Sequence, residues 1–167
     1  IPMSSGLSGS CQTASMLSDE YDGKIQVVNN QRISVTLRQS VLDALSLAEN
    51  GKNASEIKTI LEDDKFNSSI YIMLDTLYYL KKGGRVTPAA AALGSVFNIK
   101  PILKLQTGKL DSFKKCHGMQ KAKKTAIEAM QTEIRENFQD ALNDGALHLL
   151  ASSSGTDEEN AAWVEEI

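Results

Sequence analysis

The chain has 167 residues, of which 41% are hydrophobic and 23% are charged, and its formal net charge at pH 7 is -3. This composition is typical of a soluble globular protein with one domain or two small ones. The net charge excludes a general attraction to nucleic acid or anionic lipid, and no apolar run is long enough for a membrane helix. We therefore expect no nucleic-acid partner and no stable membrane insertion.

The chain opens on serines interleaved with glycines and continues in a helical pattern. Hydroxyl groups at a helix N-terminus form an anion site, because free N–H groups and the positive end of the helix dipole meet there. The alternative is a flexible serine-rich start or a helix cap, which composition alone favours. The residues concerned are Ser4, Ser5, Gly6, Ser8, Gly9 and Ser10.

The next sixty residues predict strand alternating with helix. Residues 24–29 form a short strand candidate, and an apolar stripe from Leu37 to Ala48 predicts a helix. Asn53 with Glu56 resembles a capping box for another helix. Such alternation indicates a parallel α/β layer, and we place a boundary between two parts near Phe66.

A strand over residues 70–74 leads to two short helices joined by a sharp turn. Gly83 and Gly84 end the first helix, because glycine adopts the left-handed conformation that stops one. Thr87 can cap the second helix, with Pro88 at its first position. Arg85 lies in the turn, where the ordinary interpretation is a helix-end arginine that binds carbonyl groups.

The last third predicts an antiparallel sheet and further helices. Residues 99–105 and 109–115 flank a hairpin turn, and a long apolar stripe begins at Met119. Residues 146–151 predict a final strand, and Thr156 caps a last helix. Sequential antiparallel strands indicate a sheet different from that of the first part.

The histidines, lysines and cysteines favour ordinary structural roles. His117 suits a cap or surface position, and His148 suits a core strand. No His, Cys or carboxylate group has metal-ligand spacing, so we expect no metal and no cofactor. The lysines of residues 100–124 form a solvated face or a docking surface for an acidic partner protein. Two widely spaced cysteines, Cys11 and Cys116, indicate a reducing cytosol.

Two motifs carry a resemblance to a known family. Residues 80–86 read Leu-Lys-Lys-Gly-Gly-Arg-Val, followed by Ala-Ala-Ala-Leu-Gly-Ser and Asn-Ile-Lys-Pro-Ile-Leu, and residues 4–9 read Ser-Ser-Gly-Leu-Ser-Gly. Together, in this order, they resemble the signatures of the DegV family, bacterial two-domain proteins that bind a fatty acid between their domains. By this comparison the chain is expected to be truncated at both ends.

The resemblance implies an α/β fold in two subdomains. Residues 1–66 would be a partial three-layer parallel-sheet domain, and residues 67–167 a two-layer mixed-sheet domain. It implies a cytoplasmic, non-catalytic carrier that presents a long-chain fatty acid to a separate fatty acid kinase. The carboxylate would meet Ser4, Ser5 and Gly6, Arg85 would support phosphoryl transfer, and the acyl chain would run along Ala91, Leu93 and Phe97.

The sequence also departs from the family pattern. The earlier Thr-Ser loop and the glycine-rich C-terminal stretch with its histidine are absent, and residues 29–34 replace the usual Asp-Ser and glycines. The alternative is a phosphotransfer enzyme or sugar-substrate subunit similar to dihydroxyacetone kinases. A third possibility is a purely structural fragment.

Overall fold

The computed structural model describes residues 1–92, 99–106 and 108–166, apart from the side chain of Gln106. It is an α/β protein with several helices and a small antiparallel sheet. Short 3₁₀ turns follow the first and third helices. The helices are α1 Ser10–Ser18, α2 Ser34–Glu49, α3 Ala54–Asp63, α4 Tyr78–Lys82, α5 Pro88–Ala91, α6 Met119–Asn137, α7 Gln139–Asn143 and α8 Asp157–Glu166.

The sheet has the order β1-β2-β3, with β1 Tyr71–Met73, β2 Ile99–Gln106 and β3 Lys109–His117. Both pairings are antiparallel, and the predicted hairpin joins β2 to β3. Its Gly108 has a φ of 80°, a conformation in which glycine carries no steric cost. Midway along the hairpin the register shifts, because Ile102 opposes Lys114 while Leu103 opposes Ser112. Phe113 is the extra residue of this β-bulge.

Apolar side chains cover both faces of the sheet. On one face, helix α6 packs against the strands through Ala122 and Ala126. On the other face, the loop before α1 and the helices α4 and α5 supply the cover. The buried members there are Leu7, Leu77, Ala90, Leu103 and Leu110. The sheet therefore holds the segment that begins the chain and the turn that contains Arg85 on the same side.

The predicted start of α3 and the predicted end of α4 are confirmed. Asn53 and Glu56 form a complete capping box on α3. The N–H groups of Gly84 and Arg85 bond the carbonyl groups of Lys81 and Leu80, which is the Schellman arrangement that ends α4. Gly84 has the required positive φ of 67°. Each of these signals acts over a few residues.

Two predicted strands are wrong. Residues 24–29 and 146–151 are irregular, and no described strand lies beside either segment to complete a ladder. His148, predicted to be a core histidine, is exposed. The α/β class is confirmed, but the described residues before Phe66 contain no strand of a parallel layer. The two-subdomain layering and its boundary stay predictions.

Helix α2 forms as predicted, but its apolar stripe is only partly covered. Val41 and Leu45 are exposed, whereas Leu37 is half-buried. None of the described helices combines the length and apolar character that a membrane crossing needs.

Candidate functional site

The predicted anion-binding loop is built around a buried serine. Ser4 is fully buried, and its hydroxyl donates a hydrogen bond of 2.7 Å to the carbonyl oxygen of Gly108. Its N–H donates to the carbonyl oxygen of Arg32 at 3.0 Å. The carbonyl of Ser4 in turn accepts the N–H groups of Leu7 and Ser8. The hydroxyl proton of Ser4 is therefore committed to the fold.

Gly6 lies against the hairpin turn at a distance that only glycine permits. A β-carbon at Gly6 would clash with the carbonyl oxygen of Gly108 and lie 2.9 Å from Cγ of Lys109. A β-carbon at Gly108 would lie 2.9 Å from Oγ of Ser4. The two glycines interlock the loop and the hairpin, which places the loop accurately relative to β3.

Ser5 is the member of this loop that faces outward. Its side chain is exposed, and its Oγ accepts a hydrogen bond of 2.9 Å from the Nδ2 group of Asn29. The backbone N–H of Ser5 points to Oδ1 of the same residue at 3.4 Å. Because Oγ acts as an acceptor here, the hydroxyl proton of Ser5 is free to donate to a ligand.

A cleft of about 400 Å³, lined mostly by polar residues, lies beside Ser5. Helix α1 forms one wall, and the irregular segment before α2 together with helix α3 forms the other. Its lining residues are Ser5, Ser8, Gly9, Cys11, Gln12, Ser15, Val27, Asn29, Lys58 and Glu62. Most of its lining residues carry hydroxyl, amide or charged groups, which can bind a polar head group.

A buried polar network lies behind the serine loop and contacts it through the carbonyl group of Arg32. Arg32 is 4% exposed, and its Nη2 group binds the Asp64 carboxylate at 2.6 Å. Ser40 accepts hydrogen bonds from Nδ2 of Asn30 and Nη1 of Arg32 at 2.7 and 3.3 Å. Since the carbonyl group of Arg32 holds the N–H of Ser4, this network connects α2 and the end of α3 to the loop.

The second predicted motif, the Gly-Gly-Arg turn of residues 80–86, also contacts this hairpin. Val86 forms an isolated parallel bridge with Leu110, and the N–H of Thr87 donates to the Leu110 carbonyl at 3.0 Å. Arg85 is exposed, and its guanidinium lies over Gly83, where an added β-carbon would meet Nη1. The β2–β3 hairpin thus contacts both motifs, the serine loop through residues 108–109 and the Arg85 turn through Leu110.

The predicted acyl-chain residues lie only partly within the described ranges. Ala91 ends α5 and is half-buried, while its neighbour Ala90 is fully buried in the core. Leu93 and Phe97 lie outside the described residues. The structure therefore places the start of the predicted acyl-chain wall next to the sheet and describes none of its remainder.

Comparison with protein-family models shows which family this chain belongs to. The family model described as an uncharacterised protein of the DegV family matches residues 1–165. The chain belongs to the DegV family. A DegV domain-containing protein from Clostridium acetobutylicum is 33% identical over 140 residues, which are 81% of this chain and 48% of that protein. The chain spans about half the length of the curated relatives it matches.

Solved DegV structures share this fold. A fatty-acid-binding DegV family protein from Thermus thermophilus has a TM-score of 0.68 and 31% identity, covering 78% of this chain and 46% of that one. Bacillus subtilis DegV, described as a fatty-acid-binding protein, has a TM-score of 0.66 and 27% identity, covering 80% and 48%. A Ruminococcus gnavus member with vaccenic acid has a TM-score of 0.67 and 28% identity, covering 77% and 48%.

Sequence reasoning about this DegV chain missed the partners of its serine loop. Asn29, Arg32 and Gly108 all contact Ser4 or Ser5, yet they lie between 24 and 104 residues away along the chain. Local spacing contains no signal for such contacts. The one available hint was the polar run of residues 29–32, which interrupts an otherwise apolar pattern.

Proposed function

We propose that this DegV chain belongs to a carrier that binds a long-chain fatty acid between its domains. The carboxylate head is received by Ser5 and the backbone of Gly6, with Ser4 holding the loop in place, and the tail runs along Ala91, Leu93 and Phe97. No cofactor is needed for this role. The observation that carries the proposal is the outward hydroxyl of Ser5, with a proton to donate beside a polar cleft.

The solved relatives support the ligand class, because proteins of this fold at 27–31% identity are described as fatty-acid-binding. The energetics are consistent with this ligand. A buried carboxylate needs hydrogen-bond donors, since burying it without them is costly. Each buried methylene group contributes about 0.8 kcal/mol, so a long acyl chain offsets several kcal/mol of ordering and desolvation.

The carrier is proposed to act in the cytoplasm with a separate kinase that converts the bound carboxylate to an acyl phosphate. In this role the chain itself is not an enzyme. Arg85 supports the transfer, because a guanidinium group grips phosphate oxygens with two parallel hydrogen bonds and stabilises the charge that develops there. The Schellman turn that ends α4 fixes the backbone position from which Arg85 projects.

Ligand content is the direct test. Organic extraction and mass spectrometry of the full-length polypeptide that contains this chain should find acyl chains in roughly stoichiometric amount. Ser5→Ala should weaken oleate binding by about 1–2 kcal/mol, the usual cost of losing a hydrogen bond to a charged group. Ser10→Ala, an exposed serine in the same opening segment, is the matched control. A lipid-free protein that does not bind added oleate would contradict the proposal.

Phosphate transfer separates a carrier from an enzyme. With the partner kinase and labelled ATP, Arg85→Ala should keep oleate affinity within a few-fold and sharply reduce acyl-phosphate formation. A melting curve for the variant detects any loss of stability, which a purely capping arginine would produce instead. Transfer that proceeds without added kinase would overturn the carrier role and favour a phosphotransfer enzyme.

A further inference from the structure

Lys109, the first residue of β3, lies directly against the serine loop. Its Cγ atom would be 2.9 Å from a β-carbon at Gly6, so the stem of the lysine packs on the backbone of that glycine. The side chain as a whole is exposed. Beyond Cγ only two methylene groups separate this fixed point from the ammonium group, which stays close to the loop while it moves in solvent.

The ammonium group of Lys109 has no ion-pair partner among the described residues. Other lysines of the same region do have one: Lys100 pairs with Asp75 at 2.8 Å, and Lys104 pairs with Glu133 at 2.6 Å. Residues 93–98, 107 and 167 lie outside the description, and none of them has an acidic side chain. Its charge is therefore available to an external anion.

The neighbours of Lys109 are the two residues through which the hairpin contacts both family motifs. Gly108 accepts the hydroxyl of Ser4, and Leu110 forms the bridge to Val86 beside Arg85. The hydroxyl of Ser4 already donates to that carbonyl, so of the two serines only Ser5 has a hydroxyl proton for a ligand. A head group that carries a full negative charge gains from a nearby cation as well as from neutral donors.

We propose that Lys109 is a specificity-determining residue whose ammonium group binds the anionic head of the ligand at the serine loop. This inference rests on the proposed fatty-acid site and adds a residue that selects charged over uncharged head groups. The hairpin supplies the cation, and the loop supplies the hydroxyl. The interlock of Gly6 with Gly108 holds the backbone of Lys109 beside the backbone of the loop.

The test compares two lysine variants on two ligands in the full-length polypeptide that contains this chain. Lys109→Met keeps most of the aliphatic stem against Gly6 and removes the charge. Lys115→Met makes the same change at another exposed lysine of β3 and is the matched control. The ligands are oleate and oleyl alcohol, which share an acyl tail and differ in head-group charge.

Lys109→Met should weaken oleate binding by about tenfold or more, as expected for one hydrogen bond to a charged group, and leave oleyl alcohol binding unchanged. Lys115→Met should change neither, and Lys109→Arg should restore oleate affinity. Equal oleate affinities for Lys109→Met and Lys115→Met, or an equal loss on both ligands in Lys109→Met, would overturn the role of Lys109 alone. A wild-type protein that binds no oleate would overturn the proposed function and this inference with it.

Discussion

The two faces of the sheet are held to their covering segments in opposite ways. On one face the serine loop meets the backbone of the hairpin, with Gly6 against Gly108 and the side-chain hydroxyl of Ser4 on the Gly108 carbonyl. On the other face α6 is tied to the strands by side chains. The carboxylate of Glu133 there accepts hydrogen bonds from Ser69 and Tyr71, both at 2.7 Å, and binds the ammonium of Lys104 at 2.6 Å.

This difference determines what each contact tolerates. A backbone contact between two glycines leaves no room for a single added carbon, because neither chain can rotate a side chain away. The contact centred on Glu133 is made by side chains that can rearrange. The free energy of unfolding that is lost there should therefore scale with the number and charge of the bonds removed. The two faces should respond differently to conservative substitutions.

The largest effect is expected at Gly6. Gly6→Ala places a methyl group on the Gly108 carbonyl and should lower the free energy of unfolding by about 2–3 kcal/mol, the upper part of the range for added carbons in a well-packed site. Urea denaturation measures this change. Gly9→Ala is the control, because no atom lies within 4 Å of a β-carbon at Gly9, and it should stay within about 0.5 kcal/mol of wild type. Equal effects of both variants would mean that the interlock does not constrain the loop.

A smaller loss is expected on the opposite face. Glu133→Gln removes the charge that holds Lys104 but leaves an oxygen for the hydroxyl groups of Ser69 and Tyr71. We expect unfolding to become easier by about 1–2 kcal/mol at pH 7. Glu136→Gln, an exposed residue on the same helix, should change stability by less than about 0.5 kcal/mol. A Glu133 effect no larger than this control would show that the network contributes nothing to the packing of α6.

The effect of Glu133→Gln should also depend on pH. Burial raises the pKa of Glu133, but hydrogen bonds from Lys104, Ser69 and Tyr71 outweigh it and hold this pKa below its ordinary value of 4.5. A carboxylate with a lowered pKa stabilises the fold fully above the unfolded value and loses that contribution as the pH falls through the folded value. The difference between wild type and Glu133→Gln should therefore shrink as the pH is lowered below 4.5. A difference that stays constant or grows in acid would contradict this sign.

The smallest effect concerns the cap that joins α5 to the hairpin. Oγ1 of Thr87 accepts the N–H of Ala90 at 3.2 Å, and its hydroxyl donates to the carboxylate of Asp111. Thr87→Ala should cost about 1 kcal/mol of unfolding free energy, as other lost N-caps do. Thr87→Ser keeps the hydroxyl and should recover most of that loss. A serine variant as unstable as the alanine variant would assign the effect to the threonine methyl group.

Sequence reasoning succeeded where the responsible interaction is short in range. The capping box of Asn53, the glycine stop after α4 and the hairpin at Gly108 each depend on residues a few positions apart, and all three are present. The strands predicted over 24–29 and 146–151 failed because a strand is defined by its neighbour in the sheet. The apolar residues of these segments do not by themselves supply such a neighbour.

The candidate site shows the same limit. The motif at residues 4–9 predicted a site at three consecutive residues, Ser4, Ser5 and Gly6, and the structure places them in different surroundings. The hydroxyl of Ser4 binds Gly108, whereas Ser5 keeps a free hydroxyl proton. Whether a serine faces inward or outward depends on contacts with Asn29 and with the hairpin. Neither contact follows from the spacing of the motif.

The separation of Ser4 from Gly108 has a consequence for how the molecule is made. These residues are 104 positions apart, so the loop leaves the ribosome long before the hairpin that completes it. At a synthesis rate of roughly 5–20 residues per second, the loop waits roughly 5–20 seconds for its partner. Contacts of such long sequence separation also form slowly after synthesis, because the intervening chain must first be ordered. A nascent chain therefore carries the serine loop in an unfinished state, and any ligand that depends on the loop is taken up only after the hairpin has emerged and folded.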